Sequence, residues 1–593
     1  MIKMNDDNSK MNGRKKAFGL SSYLSASRML RALMFLLAVC ACVAGQTSPT
    51  LVGSNLITRE SEANITPSTR NTGDANAVAV TATSPARPSL ARAGVTSSET
   101  RPLSLNDAIR LALENNNDIE VARNDVRISE TALRSLRGVY DPVLVFAPQF
   151  SHSISPQSSV LSGSNKAGTL TQTEFSLAPS LVRRFERWGG QYELFFNNYR
   201  RSTSSTLNTL NPTYATNFGL TLTQPLWRDR EIDRARRDIR IQQKRVAQTD
   251  VDFRQTTIEL IASVQRAYWD LVLALRDQQN RLANLTLARE NLRRIEKQIA
   301  AGSTAPLEQT EVQTELSNRE ADLLLSTQNV SIAENNLKKL LLRDPHAPEW
   351  RLAFIPTDQP ALATLPVNLS DAQAEARDHR PELRHLQLEE EISEIDRKYF
   401  KNQTRPRVDL TSTISTTGLA GAPLTTREGS TIPENLRGGY AQSLSNLVGL
   451  GSRTVVVGVT IQLPLNNRTA QADLAGAEFA QQRLRALARR QELQVEVEVR
   501  NAVQSVETAS QRVLAARSAR ENAQLQLDGE RRLFEVGRAT AFLLFQRENQ
   551  LVNARNQELR AETDYNKALA ELQRSTATTL RANSITVEAP TGR

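Results

Sequence analysis

The chain repeats one long order of segments. Residues 102–120 (PLSLNDAIRLALENNNDIE) and 366–384 (PVNLSDAQAEARDHRPELR) align without a gap at an offset of 264 residues. A strand-to-helix segment and a Gly-marked turn then follow in both halves, at 220–230 and 459–469 and at 301–320 and 536–555. This period far exceeds the about 20–50 residues of a solenoid. The sequence therefore predicts one large unit in two copies, each ordered helix, strands, long helix, turn, helix.

The amino-terminal segment is typical of an export signal. Arg28 and Arg31 precede the apolar run 33–45, and small residues follow it. This layout predicts a secretory signal peptide over residues 1–45, because the run is shorter than the about 20 apolar residues of a membrane helix. A retained membrane anchor and an acylated Cys42 are the alternatives.

Composition argues against several classes of function. Both cysteines, Cys40 and Cys42, lie in the predicted signal peptide, so the processed chain offers no disulfide, cysteine metal site or thiol nucleophile. The net charge is +10, but only 5% of residues are aromatic and the Arg-rich segments are equally rich in acids, which argues against a nucleic-acid partner. The histidines show no zinc-like spacing; they are His152, His346, His379 and His385. We expect no enzyme activity, no metal and no cofactor.

Two runs set the predicted helix length. From Arg228 to Ala300 there is neither Pro nor Gly, and from Asn466 to Val536 there is no Pro. Such runs predict a coiled coil, membrane span or helical repeat, and these are too polar to span a membrane. Apolar residues recur every seven positions: Ile232, Ile239, Val246, Phe253 and Leu260, then Val499, Val506 and Val513 in the second run. Each helix is about 110 Å long at 1.5 Å per residue.

The flanking helices match these runs in length. Leu105–Tyr140 and Pro306–Leu342 together equal the first long helix, and Leu369–Lys401 and Ala539–Thr579 accompany the second. Two short helices stacked end to end therefore run beside one long helix. A solid bundle is the alternative, but it requires a wide Leu-rich stripe. The narrow, Ala-rich stripe here favours a curved single layer with water on both sides.

Short alternating segments predict strands. They lie at 142–148 and 217–223 in the first half and at 407–414 and 454–463 in the second. Alternation over about 10 residues is the weak signature of an outer-membrane barrel. A small soluble sheet capping the helices is the alternative, and the signal peptide and helix length favour the membrane.

One segment of the first half has no counterpart in the second. Residues 174–201 predict an extra hairpin turning at Gly189 and Gly190. The hairpin either adds two strands or forms an extracellular insertion. We expect an extracellular extension.

These segments together resemble the TolC-like outer-membrane efflux proteins over about 102–580. The matching pieces are 103–133, QPLW at 224–227, AYWDLVLA at 267–274 and 301–323, with their echoes in the second half. The resemblance implies an α+β membrane protein: a trimeric outer-membrane β-barrel continuous with a long periplasmic α-helical barrel, built from two structural repeats per chain. It further implies four strands per chain, a twelve-stranded barrel, a closed periplasmic tip and an equatorial girdle formed here by 343–366 and the residues after about 575.

The resemblance also implies function and partners. It implies a homotrimer in outer-membrane lipid that acts as a passive duct and docks on a periplasmic adaptor protein and an inner-membrane pump. Residues 46–101, rich in Ser, Thr and Pro, predict a disordered linker. The predicted divisions are thus 1–45 signal peptide, 46–101 linker, 102–342 first repeat, 343–366 connection, 367–580 second repeat and 581–593 disordered tail.

The helix-to-helix turns are the predicted functional segments. Glycine after a long helix is typical of a left-handed cap, and the resemblance places these turns at the closed tip, against the adaptor. The predicted docking residues are Gly302, Ser303, Thr304, Gly537, Arg538 and Ala539. The family often carries acids six and nine residues beyond this glycine. Those positions are Glu308 and Glu311 in the first half but Leu543 and Gln546 in the second.

Two of these interpretations stay open. Glu308 and Glu311 share a helix face and form either a cation-attracting ring in a trimer or a solvated surface pair. Trp227, at a strand-to-helix junction, either packs on helices or anchors the membrane interface, and Trp188 in the extra hairpin is a second anchor candidate. The leading function is an outer-membrane duct for efflux or type I secretion. The alternative is an exported coiled-coil tether, against which the matched halves argue.

Overall fold

The computed structural model describes residues 92, 94–95, 99–158, 168–205, 207–302, 305–360, 367–424, 432–536 and 538–586, all within the unit Pro85–Arg593. Its helices are α1 (Leu105–Asn115), α2 (Asn117–Arg137), α3 (Arg234–Ala300), α4 (Pro306–Leu341), α5 (Leu369–His379), α6 (Pro381–Gln403), α7 (Tyr440–Val448), α8 (Arg468–Glu535), α9 (Ala541–Ser575) and α10 (Thr579–Ala582). In this part of the chain, no helix combines the length and the apolar character needed to cross a bilayer.

The two long helices organise the helical layer. Helix α3 has 67 residues and α8 has 68, so each is about 100 Å long. Helices α1, α2 and α4 pack on α3, while α5, α6 and α9 pack on α8. Gln242 of α3 donates to the Ser129 carbonyl of α2, and Arg289 near the other end of α3 pairs with Glu320 of α4. The predicted end-to-end stacking beside one long helix is confirmed.

The seven-residue stripes are buried as predicted. Phe253 and Leu260 of α3 are each 6% exposed, and Val499, Val506 and Val513 of α8 are at most 7% exposed. The contacts of α3 with α6 and α9 join the two halves of the chain into one helical layer.

Both flanking helices that precede the strands are broken. The side chain of Asn116 accepts from the Asp118 amide and donates to the Leu340 carbonyl, which ends α1 and starts α2. Arg380 separates α5 from α6, whose first residue is Pro381. The continuous helices predicted over Leu105–Tyr140 and Leu369–Lys401 are therefore wrong. The two breaks are again separated by 264 residues.

The strands form two sheets. They are β1 (Thr100–Leu103), β2 (Val143–Val145), β3 (Pro148–Pro156), β4 (Thr169–Leu177), β5 (Ser180–Arg184), β6 (Gln191–Thr203), β7 (Leu210–Pro225), β8 (Ala353–Pro356), β9 (Arg407–Pro423) and β10 (Arg453–Gln462). Strands β1 and β8 pair in parallel. The others form an antiparallel sheet in the order β10-β9-β7-β6-β4-β3, with β5 paired to β2 and β6.

Strands β2 and β3 follow each other along one pass across the sheet, and strands β4 and β5 do the same along the next pass. Val145 pairs with Ser180 and Pro148 pairs with Leu177, so the register continues across both breaks. Each break contains or adjoins a proline (Pro148, Pro179), which cannot donate to a strand ladder, and Phe196 still donates to the Pro179 carbonyl at 2.9 Å. The described part of the chain therefore makes six passes, which corrects the four strands that the resemblance implied.

The extra hairpin lies at the helical end of the sheet. Trp188 and Gly189 turn with φ of 65° and 68°. The turn packs on the junction between β7 and α3, where a Cβ on Gly189 would lie 2.5 Å from the Asp229 carbonyl oxygen. The expectation of an extracellular extension is wrong: residues 174–201 add strands, and their turn points towards the helices.

A belt of short elements crosses the helices near their middle. Lys338 and Glu334 of α4 are fully buried; Lys338 donates to the Trp350 and Leu352 carbonyls, and Glu334 accepts from the Phe354 amide. Arg92 pairs with Glu334 at 2.5 Å. The belt also includes Tyr268, whose hydroxyl donates to Asp358 at 2.7 Å.

The belt corrects two predicted boundaries. Arg92 and the first residues of β1 fall inside the predicted linker 46–101, yet they are anchored by an ion pair and a strand ladder. At the other end, Ile585 packs on the belt's apolar core and Asn583 accepts from Gln265. Ordered structure therefore extends into the predicted tail 581–593. The signal peptide lies outside the described residues.

Candidate functional site

The α3–α4 turn has the predicted left-handed glycine. Helix α3 ends at Ala300, and Gly302 follows with φ of 74°, its amide donating to the Ile299 carbonyl at 2.9 Å. No atom lies within 4 Å of a Cβ built on Gly302. Backbone conformation alone therefore favours glycine here. Ser303 and Thr304 lie outside the described residues.

The α8–α9 turn closes differently. The Arg538 amide donates to the Leu533 carbonyl at 2.8 Å, and the Thr540 side chain caps α9 by accepting from the Leu543 amide. Arg538 is exposed and Ala539 half-buried. Gly537 lies outside the described residues.

The acidic positions meet the second turn across a cleft. Glu308 and Glu311 line it from α4, and Thr540, Phe542 and Gln546 line it from the start of α9. Glu311 is exposed and Glu308 half-buried. The structure thus brings the two acids together with Gln546. Leu543, on the same turn of α9, is 39% exposed.

The two turns also carry an apolar surface, which we call the tip patch. It consists of Leu307, Val536 and Phe542, which are 67–70% exposed. Isolated exposed apolar residues are ordinary, but these three lie beside the two turns predicted to meet the adaptor. No motif in the sequence marks these three residues.

A polar layer between α3, α4 and α9 lies next to the tip. Glu548 accepts from Asn291 at 3.4 Å and faces Arg531 at 3.6 Å. Burial raises the pKa of the Glu548 carboxyl, and the Arg531 guanidinium partly offsets this. Asn549 donates to Glu315 at 3.4 Å. In the sequence, the only indication of this layer is that Asn291 and Glu548 are polar residues among apolar ones.

The two tryptophans lie at the helical end of the sheet. Trp188 is 63% exposed and Trp227 is 51% exposed, and Gln224 donates to the Trp188 carbonyl at 2.9 Å. Arg236 fixes this junction by donating to the carbonyls of Asp229, Arg230 and Glu231. That loop explains why α3 begins at Arg234 and not at Arg228 as predicted.

Towards the helices, the antiparallel sheet has one apolar and one polar face; towards the other end, α7 packs on the apolar side, where Ser443 contacts Thr216 and Gly418. On β7, Phe218, Leu220 and Leu222 point to one side, and alternate residues such as Asn217 and Thr221 to the other. The pairing carries the apolar face across the sheet through Phe150, Phe175, Tyr192, Leu194, Phe196, Ile414, Val455, Val457 and Val459. The opposite face holds mostly Ser, Thr, Asn and Gln, with Glu174 paired to Arg201 at 2.8 Å. Such a sheet suits lipid on one side and water on the other.

Helices about 100 Å long that pass directly into this sheet define the class of outer-membrane proteins with a helical periplasmic extension. The family model described as "Outer membrane efflux protein" matches residues 192–341 and 373–578, more than half of the chain. The chain belongs to this family of outer-membrane channels. It is therefore located in the outer membrane, and its helices extend into the periplasm.

Solved structures share the fold. The VceC outer membrane protein of Vibrio cholerae matches with a TM-score of 0.55 and 16% identity, covering 80% of this chain and 95% of that one. The CmeC channel of Campylobacter jejuni gives 0.55 and 14%, covering 81% and 89%. The MtrE channel of Neisseria gonorrhoeae, in its open state, gives 0.52 and 16%, covering 80% and 88%. A comparison with curated proteins found no significant match.

Proposed function

We propose that the protein is the outer-membrane exit duct of a tripartite efflux or type I secretion system. It is a passive homotrimeric channel, in which a β-barrel in the outer membrane continues into an α-helical barrel in the periplasm. Each chain contributes two repeats. The members of the family are channels rather than enzymes, and the duct performs no chemistry of its own.

One observation carries this proposal: a sheet with a single apolar face continues into two helices, each about 100 Å long. A sheet with open edges cannot remain in lipid, because its unpaired backbone groups have no water to bind. Closure with further copies satisfies those edges and encloses the polar face. The 264-residue offset shared by the helix breaks at Asn116 and Arg380 supports the two repeats.

The periplasmic tip is the proposed docking surface for the adaptor. The ends of α3 and α8 farthest from the sheet carry the two helix-to-helix turns, and the proposed docking residues remain Gly302, Ser303, Thr304, Gly537, Arg538 and Ala539. The tip patch offers apolar area beside them. Glu308 and Glu311, facing Gln546 across the cleft, form the proposed constriction with Leu543. Trp188 and Trp227 are the proposed anchors at the periplasmic side of the membrane.

Two measurements on the purified full chain test the duct. Native mass spectrometry in detergent should give a trimer, and planar bilayers should show discrete single-channel steps. A stable monomer without conductance contradicts the proposal. Trimers that reach the outer membrane yet never conduct favour the alternative, a coiled-coil tether of the envelope.

The inner-membrane partner defines the cargo. A photo-crosslinking amino acid at Arg538, which is exposed at the tip, should capture the adaptor in living cells, and the same residue type at the buried Val506 is the matched control. Mass spectrometry of the captured complex then identifies the pump class. Equal capture from both positions would contradict tip docking.

A further inference from the structure

The extra hairpin has the same two faces as the rest of the sheet. Phe175 of β4 pairs with Phe150 of β3, and both lie on the apolar face. Leu194 and Phe196 of β6 lie beside Leu220 and Phe218 of β7 on that face. If the hairpin folded into an aqueous lumen, this matching apolar face would be exposed to water. Both of its passes therefore belong to the membrane-facing wall.

The two edges of the sheet are long, apolar and open. All residues of β10 and of β3 are exposed; Val455, Val457 and Ile461 on one edge are 60–66% exposed, and Phe150 and Ile154 on the other are 69% and 63% exposed. Open apolar edges of this kind associate with further strands unless they are paired. The occupant of each edge is therefore a strand.

A second copy of the chain supplies the strand that fits. Strand β10 ends at the helical end of the sheet with Gln462, and β2 starts at that end with Val143. When β10 of one copy lies beside β2–β3 of the next, the two strands run antiparallel and their apolar faces coincide. The apolar band then continues unbroken from copy to copy.

We propose that three copies close an eighteen-pass barrel, with β10 of each chain paired to β2–β3 of the next. This rests on the trimeric duct proposed above. Barrel diameter grows roughly linearly with strand number, so this barrel is about one and a half times as wide as the twelve-strand barrel implied by the resemblance. On its lining, the described strands carry acidic and basic residues in balance: Glu174 pairs with Arg201 and Asp409 with Arg407, and Glu193 and Arg184 lie on the same face. The outer-membrane section therefore admits bulky hydrated cargo without selecting for charge, and selection falls to the helical section.

Lipid contact of the hairpin tests the wall position. The only cysteines are Cys40 and Cys42, so the exported chain takes single fluorescent labels. In vesicles of brominated phospholipid, a label on Leu181→Cys of β5 should lose most of its fluorescence, whereas one on its neighbour Val182→Cys should not. Leu220→Cys and Thr221→Cys on β7, which lie at the same height through Leu194 and Glu193, are the matched reference pair. If Leu220→Cys is quenched and Leu181→Cys is not, the wall position is overturned while the duct stands; if neither is quenched, the membrane sheet itself is wrong.

Crosslinking tests the seam. Thr460→Cys on β10 is combined with one cysteine along the polar face of β2–β3, at Val143, Val145, Gln149, Ser151 or Ser153. Oxidation should give a ladder ending at the trimer for at least one of these pairs. The control pair, Thr221→Cys with Thr413→Cys, joins directly opposed residues of one chain and should leave monomers. If quenching places the hairpin in the wall and every Thr460 pair stays monomeric, the β10–β3 seam and the strand number are overturned.

Discussion

At the scale of single residues, a substitution at Gly302 tests the effect of backbone conformation without a change in side-chain packing. Its φ of 74° is left-handed and nothing surrounds its Cβ position. Gly302→Val should therefore strain only the turn, by about 1–2 kcal/mol, leaving the trimer intact while export falls. Export assays and native mass measurement on the same variant check this.

Gly529 provides the matched control. It lies inside α8 without a left-handed φ, and a Cβ there also meets nothing within 4 Å. Gly529→Val should leave export unchanged, since valine is no worse than glycine inside a helix. Normal export by Gly302→Val would show that this turn has no docking role.

The charge of the tip cleft is a second prediction at this scale. Replacing Glu308 and Glu311 together by glutamine removes six carboxylates from a trimer and should reduce the preference of the channel for cations. Reversal potentials in a salt gradient across planar bilayers measure it. Glu320→Gln, further along α4 and paired with Arg289 outside the cleft, is the control and should leave selectivity unchanged. Unchanged selectivity in the double variant returns Glu308 and Glu311 to the solvated-surface interpretation.

At the scale of helices and strands, an ion pair between the buried Arg380 and the half-buried Glu498 lies at the break between α5 and α6. Arg380 is 3% exposed, and two of its nitrogens donate to Glu498 of α8, each at 2.7 Å. Burial raises the pKa of Glu498, but hydrogen bonds from Gln494 and Arg380 and the charge of Arg574 outweigh it, so the pKa is lowered. A carboxyl whose pKa is lowered by folding stabilises the fold above its unfolded pKa and loses that effect as pH falls through its folded pKa.

Thermal unfolding of the full chain between pH 7 and pH 3 should show this. Glu498→Gln should cost about 2 kcal/mol at pH 7, and the difference from the parent should shrink below about pH 4 as the parent's own carboxyl becomes protonated. Gln504→Ala, which removes a hydrogen bond to the neutral Thr508 on the same helix, is the control, and its difference from the parent should not change with pH. A difference that stays constant down to pH 3 would contradict the assigned role of the ion pair.

The helices were predictable from the sequence where a local apolar period indicated them. The strands were less predictable. The heptad of Phe253 and Leu260 is visible in the sequence, and Pro381 could have indicated the break in the second half. The break at Asn116 could not be predicted, because it depends on the Leu340 carbonyl far along the chain. The direction of the hairpin was mispredicted for the same reason: the residue that excludes a side chain at Gly189 is Asp229. Contacts between distant segments, including the tip cleft around Glu308, leave no periodic signal.

At the scale of the whole molecule, Arg92 and β1 attach the amino-terminal part of the chain to the belt. Deleting 46–91 should leave trimers in the outer membrane, since that segment lacks a hydrophobic period. Deleting 46–103 also removes Arg92 and β1, leaving Glu334 buried without this partner, and should cost about 3 kcal/mol or more. Trimer yield from outer-membrane fractions compares the two. Equal yields would show that the belt does not need the segment 92–103.

The position of the belt gives the helices a mechanical property. From Tyr268, at the belt, α3 continues to Ala300, an arm of about 48 Å at 1.5 Å per residue. At the belt, helix α3 is fixed by the apolar core and by the fully buried Lys338 and Glu334 of α4. Between the belt and Ala300, buried residues are fewer, and partly exposed ion pairs such as Arg289–Glu320 join the helices. A tilt of about 10° at the belt displaces the free end by about 8 Å. Helix α3 therefore has the geometry of a lever: a small tilt at the belt produces a large displacement at the end that carries Gly302.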